Sequence, residues 1–302
     1  MRFIITGGTG LIGRELTENL AVDGHEIIVL SRTPERAEGL PHGARAERWD
    51  GRTASGWGPL ADGVDAIVNL AGENIAEGRW TEDRKKRIRE SRIHAGQAVV
   101  QAVEKATQKP RVVIQASATG YYGGCGDEVI TEDTAAGEGF LPQVAVEWEA
   151  CTAPVEASGV RRVVIRTAPV LSAAGGVLPR IVRPFRYLVG GSLGSGQQWF
   201  PWIHIADEVS AIRFLMENQK ATGPFNLAAP NPVTNADFAR TLGRVVRRPA
   251  IIPTPGFALR LLFGEMAAVL LEGQRTIPRR LVDLGFSFRF PETESALRDL
   301  VM

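Results

Sequence analysis

The segment that most restricts the fold is RFIITGGTGLIGRELTENLAVDGHEIIVLSR, residues 2–32. Its first five residues are a short, mostly apolar run of the kind buried on both faces of a parallel sheet. Gly7-Gly8-Thr9-Gly10-Leu11-Ile12-Gly13 follows at once, and Leu11, Ile12, Leu16, Leu20 and Ala21 then recur at helical spacing. A second apolar run, residues 26–30, completes a strand–helix–strand unit. The three spaced glycines have separate tasks. Gly7 permits a tight turn, Gly10 lets the backbone approach a pyrophosphate, and Gly13 lets the helix pack closely on the strand. The start of the helix adds free N–H groups and a partial positive charge. Gly7, Thr9, Gly10, Leu11, Ile12 and Gly13 are therefore the candidate phosphate-binding residues. The bland alternative is a glycine-rich turn without a ligand, but placement between a strand and a helix argues against it.

The end of the second strand distinguishes the two nicotinamide cofactors. An acid there would hydrogen-bond the adenosine ribose, as for NAD. This chain has Ser31-Arg32, a hydroxyl and a guanidinium suited to a 2′-phosphate. The pair predicts NADP(H); the competing reading makes Arg32 a solvated residue after a strand.

The 302 residues allow one large α/β domain, or a nucleotide-binding domain carrying a smaller lobe. A net charge of +1 gives no electrostatic argument for nucleic acid or an anionic membrane. Cys125 and Cys151 form no CxxC or CxxH pattern and read as free thiols of a reducing compartment. No His/Asp/Glu/Cys cluster has metal-ligand spacing, so no metal is expected. The opening MRFIITGG enters structure without an apolar signal region, and the most apolar stretch, residues 257–271, is broken by Arg260, Gly264 and Glu265. The expected setting is cytoplasm or an organelle matrix. The expected partner is a small molecule, with no nucleic acid or membrane; a homodimer stays open.

Further along, residues 65–70 read as a buried strand ending in Asn69-Leu70-Ala71-Gly72, followed by a helix over about residues 81–106. The strand RVVIQAS then leads into the loop SATGYYGGCGDEVITEDT. The glycine motif, NLAG, and Ser117 at the end of the fifth strand resemble extended short-chain dehydrogenases/reductases, which include nucleotide-sugar epimerases and dehydratases. GSGQQWFPWIHIADEVSAI, with His204 and Asp207, and GPFNLAAPNPVTNADFARTLGRVVRRP also resemble that class. LLEGQRTIPRRLVDLGFSFRFPETESALRDL, with NLAGENI and GYYG, is similar to one atypical branch, the epimerase family proteins.

The resemblance implies a Rossmann-type doubly wound parallel sheet over residues 1–167, with some later segments returning to it. Residues 168–302 would form mostly a smaller α/β substrate lobe. It also adds Leu70, Ala71 and Gly72 to the cofactor site. Active members use a tyrosine as general acid/base and a lysine four residues later on the same helix face, with a serine polarising the substrate oxygen. Ser117 matches the serine. In FLPQVAVEWEA, residues 140–150, Glu149 aligns with a glutamate that follows the lysine by four positions, which puts Ala145 in the lysine slot and Leu141 in the tyrosine slot. A register shifted by one offers Val144 and Phe140, and neither register restores a proton donor.

The usual asparagine position maps to Arg92, a cation able to contact cofactor ribose or phosphate; the alternative is a surface residue paired with Glu90 or a neighbouring acid. Tyr121 and Tyr122, just past Ser117, are the remaining candidate proton donors, although packing or substrate contact would also account for them. Cys125 lacks an identifiable base, and His204 reads as structural. On the substrate side, Arg180, Arg183 and Arg186 with Trp199, Phe200 and Trp202 suit a flat, anionic, nucleotide-like ligand, and equally suit packing of the lobe. Two functions stay open. One is an NADP(H)-dependent oxidoreductase or epimerase-like enzyme with Ser117 and an unconventional proton route. The other is a noncatalytic NADPH-binding sensor or scaffold.

Overall fold

The structure is a computed structural model and describes residues 1–37 and 39–302. Seven parallel strands form the central sheet: β1 (Arg2–Thr6), β2 (Glu26–Ser31), β3 (Ala44–Arg48), β4 (Ala66–Asn69), β5 (Val112–Ala118), and, after the two-residue β6 (Val129–Ile130), β7 (Arg161–Thr167), with the seventh from residues 223–227. From one edge the order is the 223–227 strand, β7, β5, β4, β1, β2, β3. The order reverses direction at β1, between β4 and β2, which opens a crevice at the carboxyl ends of the strands. Helix α1 (Leu11–Val22) packs on one face, and α2 (Glu82–Lys105) and α3 (Phe140–Ala150) pack on the other.

Strand alternation explains why both faces are dry. Phe3, Ile5, Ile27 and Val29 pack with Leu16 and Leu20 of α1, while Ile4, Ile28 and Leu30 join Ala95, Val99 and Val103 of α2. Helix α2 is fixed at its start by Thr81, whose side chain accepts from Arg84 N, and carries Glu82 and Asp83 in its first turn and Lys105 in its last. A buried polar ladder crosses the sheet centre. Thr6 Oγ1 donates to Asn69 Oδ1 at 2.6 Å, and Asn69 Nδ2 donates to Gln115 Oε1 at 2.8 Å. All three side chains are fully buried, so their pairing fixes the relative heights of β1, β4 and β5.

After β7 the chain builds the smaller lobe. The hairpin β8 (Val170–Ser172) and β9 (Gly175–Gly176) leads into α4 (Leu178–Arg186), then β10 (Trp199–Phe200) and β11 (Ile203–His204) precede α5 (Ile205–Glu217). Strand β12 (Gly223–Leu227) is the seventh strand of the main sheet, and α5 packs beneath it with α1. The chain then leaves the sheet again through β13 (Val233–Thr234), α6 (Asn235–Val245) and α7 (Gly256–Phe263), and returns to the main domain at β14 (Arg275–Thr276), which pairs with β6, and at the helix Arg279–Asp283, which packs on β12. The lobe has its own core around Leu178, Phe185, Trp202, Phe238 and Leu297. Its attachment depends on Asp207, whose oxygens accept from the backbone N–H groups of Arg289 at 2.7 Å and Phe290 at 2.9 Å.

Glu208 is fully buried on α5, with Oε1 accepting from Thr167 Oγ1 at 2.8 Å. Burial pushes its carboxyl up to about 8, against the opposing bond from Thr167. The folded protein thus keeps a proton that the unfolded chain releases near 4.5. Stability therefore falls as pH rises between those values, by about 1.4 kcal/mol per unit at its steepest, and levels off above them. Glu208→Gln is expected to flatten this slope and to be the more stable form at the alkaline end, read from urea midpoints across the window.

Candidate functional site

The phosphate turn is built as the glycine spacing requires. Gly7 has φ +68°, and a side chain there would press 2.9 Å from the Leu70 carbonyl. Gly10 N donates to Gly7 O at 2.9 Å, closing the turn, and Gly10 caps α1 without a side chain of its own. A Cβ on Gly13 would lie 2.4 Å from Gly7 O and 2.5 Å from Gly8 Cα, so only glycine lets α1 begin this close to β1. Beside the turn is a groove of about 260 Å³, lined by Gly7, Gly10, Leu11, Ile12, Gly13 and Leu70, with Pro169, Val170, Gly176 and Val177 opposite. The sequence reading missed this second wall. Its only signal is the glycine pair in APVLSAAGG, which lets the β8–β9 hairpin rest on Leu11.

Thr9 is exposed at the mouth, its carbonyl accepting from Arg14 Nε at 3.0 Å. Ser31 ends β2 nearly buried, with Oγ accepting from Thr33 N at 3.2 Å, and the exposed Arg32 extends past Gly51. Arg48 stands opposite Ser31 on β3, donates to Arg32 O at 3.3 Å and is ion-paired with Glu35 at 2.9 Å, which leaves Arg32 as the cation at the edge where an adenosine phosphate would lie. Ala71 N donates to Thr6 Oγ1, holding the Leu70–Ala71–Gly72 loop over the carboxyl end of β1. These residues fit a phosphorylated dinucleotide in shape and in charge.

The dyad position is apolar. Leu141 packs against Gly120, Ala145 is buried one turn later, and Glu149 stands a further turn on along the same face of α3. Ser117 Oγ donates to Glu149 Oε1 at 2.7 Å. Glu149 is in turn gripped through both oxygens by Arg166, at 2.8 and 2.9 Å. Arg166 also donates to the Tyr122 hydroxyl at 2.9 Å, and that hydroxyl donates to Asn226 Oδ1 at 2.7 Å. Burial works against the charge on Arg166, but Glu149 and Tyr122 hold it protonated well above its usual range. In this arrangement the Ser117 hydroxyl donates to Glu149 and not into the cleft.

Tyr122 does not take the role of proton donor at the cleft. Only 2% of its surface is exposed, and burial pushes its phenol up to about 12 against Arg166 and Asn226. Tyr121 remains half-buried, its ring 3.5 Å from the Arg166 guanidinium. Arg92 is turned inward. It donates to the carbonyls of Glu73 at 3.0 Å and Ile88 at 2.8 Å and stacks on Trp148. Burial lowers its guanidinium to about 10, with Glu73 opposing. Arg92 thus braces the 70–73 loop, and its Cζ lies 3.1 Å from where a Gly72 side chain would project.

Burial pushes the Cys151 thiol up to about 12 and raises that of Cys125. His204 accepts from Ala206 N through Nδ1 and stacks on Phe290 at 3.9 Å, and burial lowers its pKa. Phe200 packs on Phe238, Trp202 is fully buried, and Trp199 donates to Asp127 while lying against Arg275. No group of three or more metal-binding side chains occurs among the described residues. No described helix is long and apolar enough to cross a membrane.

Several participants were beyond sequence reasoning. Glu132 is buried and accepts at Oε1 from Asn226 N at 3.0 Å and Arg280 N at 3.2 Å, and burial raises its pKa. The C-terminal LLEGQRTIPRRL segment makes this contact. Its Gln274 reaches Gly123 O and its Ile277 carbonyl accepts from Asn226 Nδ2, so it clasps the loop that follows Ser117.

A family model described as the NAD dependent epimerase/dehydratase family matches residues 3–228, and a domain of unknown function, DUF1731, matches residues 254–300. The epimerase family protein YfhF of Bacillus subtilis is 38% identical over 302 residues, spanning 100% of this chain and 98% of its own. A chloroplastic epimerase family protein, the SDR39U1 homolog of Arabidopsis thaliana, is 40% identical over 306 residues, spanning 100% of this chain and 87% of its own. The crystal structure of human epimerase family protein SDR39U1 with NADPH superposes with a TM-score of 0.89 at 36% identity, covering 99% of each chain.

Proposed function

Because the chain belongs to the NAD-dependent epimerase/dehydratase family, we propose that it binds NADPH along the glycine turn and serves as a sensor or scaffold for the reduced cofactor. The exposed Arg32 guanidinium just past β2 supports the phosphorylated cofactor over NADH. NADPH supplies hydride-donating capacity when bound. What this chain's own residues contribute is binding and orientation. The observation that carries the reading is the Ser117–Glu149–Arg166 network beside Leu141 and Ala145. The serine proton is engaged at 2.7 Å, and the two dyad positions hold hydrocarbon.

A second reading, an oxidoreductase with an unconventional proton route, is favoured by Tyr121 alone, a half-buried phenol at the end of β5. The two separate in one assay. NADPH is expected to bind stoichiometrically in titration calorimetry, and a panel of carbonyls and nucleotide sugars is expected to leave it unoxidised. Turnover on any member that Tyr121→Phe abolishes would establish the oxidoreductase instead.

A further inference from the structure

The smaller lobe carries a set of large apolar side chains that the cofactor groove does not use. Tyr187, Ile251, Phe257, Leu261 and Leu262 are exposed to 69%, 74%, 74%, 75% and 64%. They fall on neighbouring segments. Ile252 N donates to Gly190 O at 3.1 Å and Thr254 N to Ser192 O at 2.8 Å, so residues 187–194 run beside 251–256 and lead directly into α7. In α7, GFALRLLF, only Leu259 is buried. An apolar helix with most of its side chains outside lacks the partner that its composition requires.

Charge on this face is strongly one-sided. Residues 178–194 and 246–263 contain no Asp or Glu, yet carry Arg180, Arg183, Arg186, Arg247, Arg248 and Arg260. Of the acids in the flanking elements, Glu265 is paired with Lys85 at 2.6 Å, and Glu77 lies 3.8 Å from Arg84. The whole-chain charge of +1 conceals this local segregation.

We propose that this face docks on an anionic lipid surface, with Phe257, Leu261 and Leu262 entering the headgroup–acyl boundary and the arginines on lipid phosphates. Shape and charge choose this occupant. Side chains lining a protein-binding groove are half-covered by its walls, whereas these protrude from a helix and an adjoining loop edge. Protruding apolar groups set among arginines match an interfacial helix. A second copy of the chain would bring arginine against arginine.

The test is co-sedimentation with vesicles of mixed phosphatidylglycerol and phosphatidylcholine, against phosphatidylcholine alone. The protein is expected to partition onto the anionic vesicles, to release at high salt, and to bind phosphatidylcholine weakly. Phe257→Ser with Leu261→Ser is expected to cut partitioning by at least about tenfold while leaving the thermal midpoint unchanged. The proposal is overturned by no partitioning onto anionic vesicles, by equal binding to both compositions, or by binding that the double substitution leaves intact. A stable dimer dispersed by the same substitutions would also overturn it and give the face to a second copy.

Discussion

Glu149→Ala is expected to destabilise the protein by about 3–5 kcal/mol, the usual cost of removing one partner from a buried ion pair. The Arg166 side chain is 5% exposed and that of Glu149 14%, so the guanidinium left behind stays largely shielded from bulk water. It would keep bonds to the Tyr122 hydroxyl and the Glu132 carbonyl, but neither carries a compensating charge. Ser117 would lose its acceptor in the same step. Urea unfolding of the variant measures the loss. A value below about 1 kcal/mol would mean that the pair behaves as a solvent-screened one. Replacing both partners by methionine should cost less than the sum of the single changes, because no charge is then stranded.

The contrast between what the sequence revealed and what it hid follows from distance along the chain. The β1–turn–α1 unit was legible because every interaction that shapes it falls within residues 2–32, and Gly7, Gly10 and Gly13 each answer a local steric need. The apolar dyad slots were legible through the resemblance instead, since matching Glu149 and counting back along one helix puts Ala145 and Leu141 in them. Arg166 was not. Its partners lie on α3, in the turn after β5 and just past β6, and a buried arginine in RVVIRT looks like any edge-of-strand cation until those elements meet. Arg92 shows the same limit. Helical spacing turns it toward the domain, but only the fold decides that backbone carbonyls of Glu73 and Ile88 receive it. Tyr121 and Tyr122 are adjacent in sequence, yet one is half-buried and the other sealed, because Asn226 and Arg166 draw the second inward. The exposed face of α7 was hidden by composition itself, since an apolar run of that length reads as core.

Gly13→Ala is expected to reduce NADPH affinity by at least about a hundredfold, which corresponds to about 2.7 kcal/mol. The added methyl would meet backbone at 2.4 and 2.5 Å, at Gly7 O and Gly8 Cα, and no side-chain rotation can relieve either contact. Overpacking of this kind forces a backbone shift, and the only free response is for α1 to move off β1. That motion carries the N–H groups of Leu11 and Ile12 away from the turn that Gly7 and Gly10 close, so the phosphate site opens as the helix retreats. Because the lesion lies at the shared phosphates, binding of NADPH and NADH should fall together. Arg32→Ala gives the opposite pattern: the side chain is exposed at the end of β2 and contributes nothing to the turn, so NADPH binding should weaken by about tenfold to a hundredfold while NADH binding hardly changes. Calorimetric titration of both variants with both cofactors resolves the two patterns. Equal losses of NADPH and NADH in Arg32→Ala would detach the 2′-phosphate from this edge, and wild-type affinity in Gly13→Ala would mean that the dinucleotide does not use the turn at all.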